Sequence, residues 1–224
     1  MVALLILWRD PCLPYSEERV GWKPSRRRRL SAVKADRDKQ RTRIVGAAIR
    51  LAEEHGLDRV GLREVAEEVG LALGTLYKSF RNKDEILGAV VDRQMAAMRE
   101  ALGGPVPAGE TAADRVHSFF ERFTEVVARH PAFTRGMLGA LSTGRGAVVK
   151  AILRSDVETS KMVIGAIRGV PAAEVDFERC GDDERETAFL LRQIWFASMI
   201  GWSVGLHPLD EVVAHIDIAA RRFL

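Results

Sequence analysis

Apolar residues recur along this chain at helical spacing, and no stretch shows the two-residue alternation of a half-buried strand. Ile44, Ala47, Ala48, Leu51 and Ala52 form a first stripe, which predicts a helix over about 36–55 ending at Gly56. Leu62, Val65, Ala66 and Val69 form a second at i, i+3, i+4 and i+7. Gly70-Leu71 interrupts that period, since glycine tolerates a left-handed turn, and a third stripe follows at Leu73, Leu76 and Phe80. Asn82 then offers an N-cap and Asp84-Glu85 a negative first turn for a helix running through Val90, Val91 and Met98 to about residue 102. The run 103–109, Gly-Gly-Pro-Val-Pro-Ala-Gly, is a clear break. Beyond it the pattern predicts helices at about 111–129, 131–141, 145–169, 183–206 and 208–222. Pro131 and Pro208 fall in first turns, and Asp182-Asp183-Glu184 complements a helix dipole. The fold class is all-α: three helices with a helix-turn-helix, followed by a larger helical bundle.

Two short amphipathic helices joined by a glycine-containing turn make a helix-turn-helix, whose second helix can enter a DNA major groove. The run Val65-Ala66, Gly70, Gly74-Thr75-Leu76-Tyr77, Phe80 and Lys83 resembles the DNA-binding signature of TetR-type bacterial transcription regulators, over roughly residues 40–90. The resemblance implies a DNA-binding domain at 34–82 and a ligand-binding and dimerisation domain at 83–224. It places Ala72, Leu73, Gly74 and Thr75 at base edges, where methyl groups can meet a thymine methyl and glycine lets the backbone approach. Tyr77, Lys78 and Lys83 are expected on phosphates, with Arg43 and Arg63 as further phosphate contacts. Three positions depart from the family. Gly61 and Ala72 stand where hydroxyl residues are usual, and Ser79 where an aromatic is common.

Charge sharpens this picture. The net charge of +3 conceals a segment, 21–50, holding eleven Lys or Arg against two Asp. Such a basic stretch, at and before the first helix, can neutralise DNA phosphates and release counterions. Residues 1–33 read as a basic, disordered extension. Pro11, Pro14, Gly21 and Pro24 interrupt it, a pattern that would fit a protein beginning near Leu30 or Val33.

The bundle carries bulky, adaptable side chains that could line a pocket for a hydrophobic effector: Phe119, Phe123, Met137, Leu141, Trp195 and Met199. Motifs around 130–137 and 194–202 are loosely similar to actinobacterial repressors of steroid and lipid breakdown, which implies a large apolar ligand. Homodimerisation is expected through the small residues Ala197, Gly201 and Gly205, together with Val213 and Ile216 on a last helix that no later element covers.

Composition narrows the alternatives. Cys12 and Cys180 are far apart, no CxxC occurs, and the five histidines follow no ligand spacing, so a metal site is not expected. Met1–Leu7 is apolar, but it is too short and lacks the basic start of a signal peptide, which points to a cytoplasmic protein. There is no nucleophile–base pair or phosphate-cradling glycine loop to indicate an enzyme, and no cofactor is implied. Two readings result. One is a ligand-responsive DNA-binding regulator, a repressor on a palindromic operator. The other is a small-molecule-binding or interaction module of the same fold without specific DNA recognition.

Overall fold

The computed structural model describes residues 26–224, with side chains at residue 31 and from 33 onward. Contacts divide the chain into two compact units, 1–36 and 37–224. Of the first, only the opening of α1 falls among the described residues, so the extension expected over 1–33 lies largely outside them. Helix α1 (Arg26–His55) already covers residues 26–35, ahead of the start expected near residue 36.

Helices α2 (Leu62–Glu68) and α3 (Leu73–Ser79) follow a short 3-10 turn at Leu57–Arg59. Between them Gly70 takes φ 66°, the left-handed conformation that lets Leu71 turn back onto Ala66 through a 2.8 Å backbone hydrogen bond. Ile44, Val65, Leu76 and Phe80 are buried where α1, α2 and α3 meet, as their stripes predict.

Helix α4 (Lys83–Leu102) is capped by Asn82, whose side chain accepts a 2.9 Å bond from the Glu85 amide. Then come α5 (Ala112–Ala128), α6 (Pro131–Ser142), α7 (Gly146–Arg168), α8 (Asp182–Ser203) and α9 (Leu209–Phe223). These five match the predicted bundle helices to within a few residues. Thr111 and Asp114 close a reciprocal capping box on α5, and their hydrogen bonds hold the Asp114 carboxyl below the usual carboxylate range. At the start of α8, Glu184 takes both arms of the Arg168 guanidinium at 2.6 Å. That paired contact likewise depresses its pKa.

The three-helix region and the bundle share one core. A residue larger than glycine at 136 would bring a β-carbon within 2.8 Å of the Leu57 amide nitrogen, so Gly136 lets α6 seat directly on the 3-10 turn. Arg145, just before α7, spans the same junction, 3.1 Å from Asp58 and 3.8 Å from Asp84 at the start of α4. Among the described residues, no helix is long and apolar enough to cross a membrane.

The dimer expectation needs correcting at α9 and at one glycine. Ile216, with Val212 and Ala220, is fully buried within the chain, because α5 and α8 pack over that stripe. Gly201 is also buried, against the His207 ring. Ala197 and Gly205 are exposed and Val213 is half-buried.

Candidate nucleic-acid interface and effector cavity

Burial sorts the residues of α3 by role. Leu76 is fully buried, while Ala72, Gly74, Tyr77 and Lys78 are exposed, and Leu73 and Thr75 are half-buried. Nothing lies within 4 Å of the space a Gly74 side chain would enter, so a nucleic-acid surface could approach the backbone there. Exposed Arg63 on α2 lies in the same motif. The Gly61 cap has no side-chain bond, and a β-carbon at this position would collide with the Glu64 carboxylate folded back over it.

The structure gives the expected phosphate-binding residues two different situations. Tyr77, Lys78 and Arg63 remain on the surface. Arg43 instead donates a 3.0 Å bond to the carbonyl of Val69, the residue that ends α2. Lys83 donates at 2.9 Å to the Asp58 carbonyl. Arg41, not expected to take part, donates to the carbonyl of Ser79 at the end of α3 and stacks over the Phe80 ring at 4.0 Å. Ser79 uses its own hydroxyl to donate to Gln40 at 3.3 Å. Part of the basic run on α1 therefore satisfies the orphan carbonyls at the ends of both helix-turn-helix elements. Contacts across 26 and 38 positions leave no periodic trace, which is why the sequence suggested only phosphate roles.

In the bundle a cavity of about 280 Å³ opens among α4 to α8. Phe123, Met137, Leu141, Trp195 and Met199 line it, five of the six pocket residues read from the sequence. Phe119 does not; it borders a separate cleft beside the loop at 103–107. Trp195 stacks on Phe123 at 4.3 Å between ring centres, and its indole N–H donates to the buried Thr124 hydroxyl at 2.9 Å. That bond fixes the cavity floor, because a buried indole N–H is costly unless paired. A second cavity of about 210 Å³ shares Met95, Met98, Val127 and Met137 with the first, so flexible methionine side chains form most of the wall between them. Both cavities touch α4 and α6, the two elements that meet the reader at the 3-10 turn. Among the described residues, no group of three or more His, Cys, Asp or Glu could hold a metal ion.

Residues 44–90 match the family model of bacterial regulatory proteins of the tetR family, and residues 109–223 match the tetracyclin repressor-like C-terminal domain. The transcriptional repressor KstR of Mycobacterium tuberculosis is 23% identical over 182 residues, covering 81% of this chain and 79% of that protein. A solved TetR transcriptional regulator from Rhodococcus sp. RHA1 is 28% identical with a TM-score of 0.64, covering 83% of this chain and 95% of that one. FadR of Thermus thermophilus, a TetR family repressor solved with lauroyl-CoA, shares the fold at a TM-score of 0.60 and 18% identity, over 82% and 92% of the two chains. With its C-terminal match spanning more than half of its length and the helix-turn-helix matched separately, the chain belongs to the tetR family of bacterial regulatory proteins.

Proposed function

We propose that this protein is a cytoplasmic, homodimeric repressor that reads a palindromic DNA operator through α3 and releases it when a hydrophobic small molecule fills the bundle cavity. The observation that carries this reading is the division of α3, with Leu76 buried and Ala72, Gly74, Tyr77 and Lys78 turned outward. Leu73 and Thr75 at the start of that helix read base edges beside Ala72 and Gly74. Tyr77, Lys78 and Arg63 hold phosphates, and Arg43 and Lys83 join them only by leaving their intrachain carbonyls.

The route from cavity to operator runs through two elements. Met95 and Met98 on α4, and Met137 and Leu138 on α6, line the cavity, while α6 seats the 3-10 turn and α4 begins at Lys83. A ligand that favours a different setting of these helices changes the spacing of the two recognition helices. That spacing must match half-sites about one DNA turn, or a multiple, apart. For the dimer, α8 presents Leu190 and Ala197, Val204 follows at its end, and α9 presents Ile218, all exposed on the single chain.

The test is selection of bound fragments from genomic DNA, followed by anisotropy titration of the enriched fragment at two salt concentrations with nonspecific competitor. A palindromic motif and competitor-resistant binding are expected. Failure to enrich any motif would favour the binding module without DNA recognition, the reading that Gly61 and Ala72 keep open.

A further inference from the structure

We propose that Arg192 is the polar anchor of the effector cavity, and that the effector carries an oxygen acceptor at the α7–α8 end of an otherwise apolar body. This inference rests on reading the 280 Å³ cavity as the effector site. Arg192 lines that cavity with its side chain only 13% exposed. Its three contacts all run through Nη1: 2.9 Å to the Asp156 carbonyl, 2.9 Å to the Ser160 hydroxyl and 2.8 Å to the Asp156 carboxylate. Those contacts fix the guanidinium plane. Nε, on the other side of the group, has no partner and is covered, so an effector oxygen reaches it as its neighbours give way. Buried polar hydrogens are rarely left unpaired, and in a guanidinium the Nε–H and one Nη2–H point the same way, a fork that fits a carbonyl or carboxylate oxygen.

A second donor lines the same cavity. The Ser155 hydroxyl, also lining the cavity, accepts a 2.7 Å bond from Arg99, which leaves its own hydrogen to give. Most of the remaining wall is apolar, with Phe123, Met137, Trp195 and Met199 among it, and its other polar residues, Thr159 and Gln193, carry no charge. Asp156 already balances Arg192, so an uncharged carbonyl enters without adding a second negative group beside that carboxylate.

Three probes of matched length test this with the full chain: 2-undecanone, its methylene isostere 2-methylundec-1-ene, and undecanoate. Affinities come from the rise of the unfolding midpoint across a concentration series. The ketone is expected to bind the native protein about tenfold more tightly than the alkene, as a charge-assisted hydrogen bond implies. In Arg192→Met that preference collapses while alkene affinity holds, which shows an intact cavity. Arg192→Lys, with charge but no fork, falls between. Tighter binding of undecanoate than of ketone, lost in Arg192→Met, would keep the anchor and make the acceptor an anion. Equal binding of ketone and alkene, or a ketone preference that survives Arg192→Met, overturns the anchor and leaves the cavity. If none of the three binds, the effector-cavity reading fails and the anchor with it.

Discussion

Of the seven residues of α3 only Leu76 is buried, whereas the cavity in the bundle is walled by Phe123, Met137 and Met199, all buried, and by the nearly buried guanidinium of Arg192. A helix that reads a surface keeps its specific groups in water and uses one face to hold itself in place. A cavity that reads a small molecule withdraws its groups from water and needs five helices to enclose them. The two regions therefore break differently. Substitutions in the reader's core should remove DNA binding through loss of fold, and substitutions on its face should change affinity while stability stays put. In the bundle, recognition and stability reside in the same side chains and should move together.

The largest effect should come from Phe80→Ala. Phe80 is 1% exposed at the end of α3 and carries the Arg41 guanidinium on its ring, so truncation leaves a cavity and removes a stacking partner. A loss of about 3–5 kcal/mol is expected, with DNA binding abolished, as chemical denaturation and anisotropy would register. A folded variant that still binds its operator would mean the reader's core lies elsewhere. Next is Thr124→Ala, which deprives the Trp195 indole N–H of its 2.9 Å partner inside the bundle. Destabilisation of about 1–3 kcal/mol should accompany weakened effector binding, while DNA affinity without ligand changes little. A stability loss with unchanged ligand affinity would separate the two roles that the cavity is argued to join.

The same contrast explains what the chain disclosed on its own. The signals for the helix-turn-helix itself lie within about thirty residues: the stripes of α2 and α3, the Gly70 turn and the Asn82 cap. The bundle's helices were equally legible, since proline, glycine and acidic first turns mark their ends. Arrangement between helices was not. Phe119 shares a helical stripe with Phe123 yet faces another cleft, a distinction that depends on where α7 and the 103–107 loop pass. The α9 stripe was expected to be uncovered, but α5, about a hundred residues earlier, returns to cover Val212 and Ile216. Arg43 read as a phosphate ligand because cationic residues near a DNA-reading motif have that use, and Arg41 drew no role of its own. Their carbonyl partners are set by how α1 crosses α2 and α3.

Smaller effects test the reader's face. Tyr77→Phe removes one exposed hydroxyl from a side chain 47% exposed, so folding stability should stay within about 0.5 kcal/mol. Operator affinity should fall by about three- to tenfold, the worth of a single hydrogen bond to phosphate. Unchanged affinity would take Tyr77 out of the interface. It would also shift attention to the neighbouring Lys78.

Lys78→Ala carries the smallest expected change and the most diagnostic one. Lys78 is exposed and forms no ion pair among the described residues, so its removal should leave the unfolding midpoint alone. If its ammonium neutralises one phosphate, the log–log salt slope of DNA binding should become shallower by about 0.9 per protomer. The affinity loss should be the same on operator and nonspecific DNA, because a phosphate contact carries no base information. Arg43→Ala offers the control. Its guanidinium caps the Val69 carbonyl, so this variant should lose stability as well as affinity. A slope change for Lys78→Ala without a stability change, beside a stability change for Arg43→Ala, would separate the cation that faces DNA from the cation that holds the reader together. The reverse pattern would mean that Arg43 leaves its carbonyl on DNA binding, and that the unbound arrangement of α1 differs from the one on DNA.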